Sequence, residues 1–257
     1  HTCLVAADGS PKCFGLASSG QLGDNQTITN RTAPTAVTGQ TGTMISVAAF
    51  KNTTCGLRFD GTVRCWGSND NSVLGDGSGV ASRATASAVL GITNAVDVQG
   101  GGHVCALLAD GGVKCWGPNE SGQLGDGSNT TRATPVDVAF ASGERAVGIA
   151  VGESHTCAVL STGAVRCWGK NGQRQLGNGD TTDRNTPTAV PGITNAAALT
   201  ASSHTCVVLA DGTMRCWGPN AGGQLGDGTL ATPTAPVAVA NLFFNAAATA
   251  LESGSNH

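Results

Sequence analysis

The amino-acid sequence predicts an all-β protein built from repeated antiparallel units. Three observations support this fold class: one pattern recurs five times, each copy carries a hairpin-turn signal, and no copy shows the spacing of an amphipathic helix. Paired cysteines, ten positions apart, mark copies that follow one another every 49 to 52 residues. The pairs are Cys3 and Cys13, Cys55 and Cys65, Cys105 and Cys115, Cys157 and Cys167, and Cys206 and Cys216.

The third copy shows the predicted unit most clearly. Its first strand covers residues 103–108, Asp110-Gly111 supplies a tight turn, and residues 113–116 return as the second strand. A second glycine-controlled bend at residues 124–127 leads through a threonine-rich stretch to Pro135, which we expect to introduce an outer strand at 136–138. A fourth strand at 146–151 leads into the next copy. Four short strands per copy give a single domain over 1–257, with repeats at about 1–52, 53–102, 103–154, 155–203 and 204–257.

The composition excludes several classes of function. Charged residues are 12% of the 257, and the net charge of −3 is scattered, so nothing forms a basic footprint for nucleic acid. No run approaches the roughly 18 apolar residues of a membrane span. A start at His1 is expected for a processed chain or for a fragment.

The ten cysteines admit disulfides, metal ligation or free thiols. Zinc sites favour about two to four residues between cysteines, whereas nine intervene here around a turn. A hairpin centred on Asp110 places Cys105 opposite Cys115, within disulfide range. We therefore favour five disulfides, each local to its hairpin, and a secreted, periplasmic or cell-surface location.

Three motifs carry a resemblance to a known family: His-Thr-Cys-Ala-Val-Leu at 155–160, Arg-Cys-Trp-Gly at 166–169 and Gly-Gln-Leu-Gly-Asp-Gly at 122–127. They resemble the repeat of the regulator of chromosome condensation family, and more narrowly the cysteine-containing repeats of bacterial cell-surface proteins. The resemblance implies a β-propeller of four-stranded blades and admits nucleotide exchange on a small GTPase, against which the expected export argues. The family usually has about seven blades. Two arrangements stay open: residues 247–251 complete the first blade beside residues 2–6 and close a five-bladed ring, or the chain is part of a longer array.

Several residues recur at one repeat phase and receive a structural interpretation. A histidine recurs at positions 1, 103, 155, 204 and 257; we expect each to fix a turn by bonding backbone, rather than to join a ring of metal ligands. The tryptophans Trp66, Trp116, Trp168 and Trp217 are expected to pack between blades. The bend aspartates are assigned to turn chemistry rather than to calcium. No catalytic constellation, metal site or cofactor site emerges, so we expect no enzyme.

Residues that break the repeat phase are the better candidates for recognition. The copies also differ at positions to which no role is assigned: copy two has Thr53 in place of histidine and Val73 in place of glutamine, and copy four is expected to carry an extra residue within 173–175. Candidate binding residues are Phe140, Glu144, Arg145, Lys170, Arg174, Phe243 and Phe244.

The predicted function is an extracellular, non-catalytic scaffold whose loops recognise a protein or a glycan. Two alternatives stay open: a structural subunit of a surface appendage, which self-associates through terminal strands, and a secreted enzyme inhibitor. The inhibitor rests on a second resemblance, to secreted propellers that inhibit β-lactamases.

Overall fold

The computed structural model of this chain describes residues 1–240. Within them, nineteen strands and one three-residue 3-10 helix, Asp70–Ser72, form five antiparallel sheets. Consecutive strands pair in each sheet, as the repeat pattern predicts. The only helix of the described part is far too short to cross a membrane.

The chain divides into two compact units. The first comprises His1–Ala109, Val113–Pro118 and Thr131–Val136; the second comprises Asp110–Gly112, Asn119–Thr130 and Asp137–His257, of which residues 137–240 are described.

The first unit contains one sheet of three strands, one complete sheet of four strands and nearly all of a second sheet of four. The strands of the first sheet are β1 Thr2–Val5, β2 Pro11–Gly15 and β3 Arg31–Ala36. Those of the second are β4 Met44–Phe50, β5 Thr53–Arg58, β6 Val63–Ser68 and β7 Ser82–Ala88. Those of the third are β8 Ala95–Gly100, β9 Val104–Leu108, β10 Val113–Gly117 and β11 Arg132–Asp137. The strand expected at 247–251 to complete the first sheet lies outside the described residues.

The second unit contains the remaining two sheets, each of four strands. One is formed by β12 Ala146–Val151, β13 His155–Leu160, β14 Val165–Gly169 and β15 Arg184–Ala189. The other is formed by β16 Ala196–Ala201, β17 Thr205–Leu209, β18 Met214–Trp217 and β19 Val237–Ala238. The predicted hairpin and fourth strand are thus found, and β12 has the predicted bounds.

The outer strand begins earlier than predicted. In the third repeat β11 covers Arg132–Asp137 instead of 136–138, so Pro135 lies inside the strand rather than before it. In the fourth repeat β15 likewise starts at Arg184, with Pro187 inside it. Arg184 pairs with Gly169 and Thr188 with Cys167, and the register shifts between these pairs. Proline is tolerated there because the irregular stretch requires no ladder hydrogen bond from it.

The core of each unit consists of aliphatic residues around fully buried tryptophans. Each indole packs against the bend glycine of the preceding repeat, as Trp217 does against Gly177 and Trp168 against Gly125. A Cβ at Gly125 would lie 2.6 Å from the Trp168 Nε1 atom, and its φ of +71° also favours glycine. The bend therefore needs glycine for close approach as well as for its backbone conformation.

Candidate functional site

Each predicted cysteine pair forms a disulfide across its own hairpin. Cys105 lies directly opposite Cys115 in the β9/β10 register, and Cys157 opposite Cys167 in β13/β14. All five bridges join Cα atoms 4.1 Å apart, and no cysteine is left free. The bridges lie on regular positions of the repeat, so they brace the sheets and leave the connecting segments to vary.

A hydrogen-bonded relay joins neighbouring repeats at the fourth junction, which we define as the contact between repeats four and five. The Nε2 atom of His155 lies 2.7 Å from the Thr205 hydroxyl, which donates to the Gln175 carbonyl at 3.1 Å. Because that hydroxyl has one proton, His155 donates to it and carries its own proton on Nε2. The Trp217 indole donates to the same carbonyl at 2.9 Å.

The first junction, between repeats one and two, has the same relay. His1 Nε2 lies 2.8 Å from the Thr54 hydroxyl, and the Gln21 carbonyl accepts from Thr54 and from Trp66, both at 3.0 Å. The expectation that these histidine rings bond backbone within a turn is wrong for His1 and His155. Their rings reach a threonine of the next repeat, a pairing that a single repeat does not reveal. His257 lies outside the described residues.

Burial sets the protonation of the relay histidine. Desolvation, with a smaller contribution from the nearby ring of His204, lowers the pKa of His155 from 6.5 to about 4. The ring is therefore neutral at physiological pH and serves as a structural donor. Within residues 1–240, no group of three or more His, Cys, Asp or Glu side chains is placed to hold a metal ion.

A buried asparagine organises each long connecting loop of repeats two to five, which the sequence analysis missed. Asn171 donates to the Asp180 carbonyl at 3.0 Å and accepts from the Leu176 backbone N–H at 3.1 Å. Asn220 makes the equivalent bonds in repeat five. The signal in the sequence is an asparagine three residues after the tryptophan of each of these repeats: Asn69, Asn119, Asn171 and Asn220.

The bend aspartates of the first two repeats combine turn chemistry with ion pairing. Asp24 pairs with Arg31 at 2.6 Å and Asp76 with Arg83 at 2.5 Å. Partial burial would raise the pKa of Asp76, but hydrogen bonds from Ser78 and the Arg83 guanidinium hold it below 3.8. These pairs close the loops, and such partly exposed pairs typically contribute about 0 to 1 kcal/mol.

The candidate residues in segment 140–145 are engaged within the second unit. The ring of Phe140 meets that of Trp168 edge to face, with centroids 5.8 Å apart. Glu144 forms an ion pair with Arg166, and Arg145 donates to the Asp110 carbonyl. The segment thus packs against the β12–β15 sheet, which follows it in the chain. Arg145 nevertheless remains exposed.

Segment 170–175 does not contain the extra residue that was expected within 173–175. Trp168 and Leu176 are eight positions apart, as Trp116 and Leu124 are in repeat three. Instead, Arg174 has a φ of 62° where the third repeat has a glycine at 122. Lys170 is exposed nearby. Phe243 and Phe244 lie outside the described residues.

An exposed aromatic residue was also missed. Phe59 lies at the tip of the β5/β6 hairpin and is 80% exposed. The same phase holds alanine at 7, 109 and 210 and serine at 161. The sequence did contain a signal for this exposed residue, because an aromatic residue stands where the other repeats have alanine or serine.

Comparisons with known proteins agree with this architecture. A family model described as regulator of chromosome condensation (RCC1) repeat matches residues 110–159 and 162–209, and a second model of the same description matches 45–72, 96–123, 146–175 and 202–224. The chain is 30% identical over 197 residues to the ultraviolet-B receptor UVR8 of Arabidopsis thaliana, covering 75% of this chain and 44% of that protein. The chain thus spans less than half the length of this relative.

Solved structures agree on the fold. Prp20p of Saccharomyces cerevisiae matches with a TM-score of 0.82 and 21% identity, over 93% of this chain and 61% of that one. Human WBSCR16 matches with a TM-score of 0.80 and 22% identity, over 92% of this chain and 64% of that one. The repeat motifs, the antiparallel sheets and these matches lead to one conclusion: the chain belongs to the regulator of chromosome condensation (RCC1) repeat family and has its β-propeller fold.

Proposed function

We propose that this chain is a non-catalytic scaffold that binds a protein partner outside the reducing cytosol, and that its five repeats act as one domain. The proposed location outside the cytosol rests on one observation: every repeat contains a disulfide, and disulfides persist in oxidising environments. Protein binding is supported by relatives: Prp20p is described by its binding to Gsp1p and histones, and in complex with Kap60. Those partners belong to Prp20p alone.

We expect the irregular positions of the repeat to bind the partner, because the regular positions are already used to build the fold. Cysteines, tryptophans and bend glycines all serve the sheets and their packing. Side chains that depart from the repeat and remain exposed, such as Phe59 and Lys170, are available to a partner. Aromatic residues are enriched in protein interfaces, which favours Phe59 as an anchor.

The proposal is tested by placing a photo-crosslinking amino acid at position 59, with positions 109 and 210 as matched hairpin-tip controls. Crosslinking is performed on intact source cells, and the cysteines are mapped by mass spectrometry without reduction. We expect one defined protein adduct from position 59, none from the controls, and five hairpin-local bridges. Equal labelling from all three positions, or free thiols in the native protein, would contradict the proposal.

A structural role in a surface appendage is the second candidate, and the edge position of β1 favours it. Within the described residues β1 pairs only with β2, so its other edge can accept a strand of a neighbouring chain. Mass measurement on dilution tests this: a monomer at all concentrations contradicts assembly. A glycan ligand and inhibition of a secreted enzyme remain further alternatives, separable by the identity of the captured partner.

A further inference from the structure

Two equivalent cavities of very different size lie at repeat junctions. At the second junction, between repeats two and three, a cavity of about 270 Å³ lies between residues 50–53, 68–73 and 101–102, all within the first unit. At the fourth junction the corresponding cavity, between residues 153–155, 170–175 and 202–203, has about 60 Å³. The two sites occupy the same place in the repeat, so their side chains can be compared directly.

The second junction has lost the side chains of the relay. Thr53 stands where the fourth junction has His155, and Val73 where it has Gln175. Across the junction Val104 replaces Thr205, so both hydrogen-bonding partners are missing together. The main-chain part persists, since Trp116 still donates to the carbonyl of residue 73 at 2.9 Å. The junction therefore stays packed while the volume of the missing side chains opens to solvent.

Further small residues enlarge the space. Gly101 and Gly102 stand in the places of Ser202 and Ser203, and Ser68 in the place of Lys170. Phe50 forms one wall and is itself nearly buried, with its ring over Gly100.

The lining combines a neutral polar interior with charges at the rim. The hydroxyl-bearing residues Thr53 and Ser68 are 2% and 6% exposed, whereas Lys51, Asp70 and Asn71 are exposed. Neither Lys51 nor Asp70 forms an ion pair with another described residue. Both rim charges therefore remain available to a ligand.

Unfavourable backbone conformations cluster at this cavity. In residues 1–240 five non-glycine residues have a positive φ, and two of them, Lys51 at 46° and Asn71 at 56°, line this cavity. Such conformations cost of order 1 kcal/mol each and concentrate at binding sites.

We propose that the cavity at the second junction binds a neutral monosaccharide unit. Vicinal sugar hydroxyls both donate and accept, which matches the carboxylate, amide, ammonium and hydroxyl groups present, and Phe50 offers an apolar wall. A zwitterion such as an amino acid would need charged partners in the interior, because a buried unpaired charge is costly. The volume suits a ligand of about a dozen heavy atoms rather than a larger one. This inference is independent of the protein partner proposed above.

The test is an NMR titration of the full chain with D-glucose, D-galactose, D-mannose and N-acetyl-D-glucosamine, and separately with glycine and L-alanine. For at least one sugar we expect saturable shifts at low-millimolar concentration, confined to amides near residues 51, 71 and 102. D70A should weaken binding about tenfold by removing a hydroxyl-binding carboxylate, whereas the matched control E120A, at the same phase of repeat three, should leave it unchanged.

A second variant fills the cavity instead of truncating its rim. T53H/V73Q/V104T restores the relay residues of the other junctions and should abolish sugar binding while the disulfide-braced fold is retained. No saturation up to about 50 mM sugar, binding of the amino acids instead, or undiminished binding by the folded triple variant overturns the proposal.

Discussion

His155 donates its Nε2 proton to the Thr205 hydroxyl at 2.7 Å, and this bond connects two repeats whose sheets share no strand. The threonine passes the bond on to the Gln175 carbonyl, so removal of either side chain leaves a buried polar group of its neighbour without its partner.

The first prediction removes the middle of this relay. T205V should lower the free energy of unfolding by about 1 to 3 kcal/mol, because the His155 N–H is left buried without an acceptor. T205S keeps the hydroxyl and should retain most of the stability. Urea denaturation followed by tryptophan fluorescence measures both. Equal loss in the two variants would show that the methyl group, not the hydroxyl, matters.

The second prediction concerns pH. The pKa of His155 is lowered from 6.5 to about 4, so between these values the unfolded chain binds a proton that the folded chain does not. The free energy of unfolding should be highest above pH 6.5 and should fall by about 3 kcal/mol as the pH drops to 4. H155Q should flatten this dependence specifically. The aspartates with lowered pKa values lose their stabilisation only from about pH 5 downward, so the slope between pH 6.5 and 5 is the part that reports on His155.

The third prediction separates two demands on glycine. G125A introduces a Cβ against Trp168 at a φ of +71°, whereas G192A has a similar φ of +76° with nothing within 4 Å. G192A should cost about 1 kcal/mol and G125A clearly more, since only the second adds a clash in the core. Thermal unfolding of both variants provides the comparison. Similar losses would mean that the indole moves aside readily.

The fourth prediction tests a bridge. The double variant C157A/C167A should lose about 3 kcal/mol, because the bridge restricts a short loop of the unfolded chain. Added reductant should then destabilise this variant less than the parent. A parent protein that is unaffected by reductant under unfolding conditions would contradict a stabilising role for the bridges.

Features local to one repeat could be read from the sequence. The spacing of Cys105 and Cys115 around Asp110-Gly111 is enough to predict the hairpin and its register, because both depend on a short turn. Bonds between repeats were not predictable in this way. Thr54 and His1 are 53 positions apart, and their contact depends on how two sheets pack.

The cavity shows the same limit. Thr53 and Val73 were visible as departures from the repeat, but Val104 was not connected with them, since only the packed sheets bring the three positions to one junction. The outer strand was misplaced for another reason: a register shift lets Pro187 lie within it.

A carbonyl that accepts from two side chains of the following repeat has a consequence for recombination. The Gln175 carbonyl accepts hydrogen bonds from both Thr205 and Trp217, whereas, among the described residues, the Val73 carbonyl accepts a side-chain bond only from Trp116. The fourth and second junctions are therefore held by different sets of hydrogen bonds. A repeat cut out and inserted elsewhere will therefore match some neighbours and not others. Chimeras that exchange repeats two and three as a block keep their shared boundary intact, whereas exchange of repeat two alone sets Val73 and Thr53 against a foreign threonine.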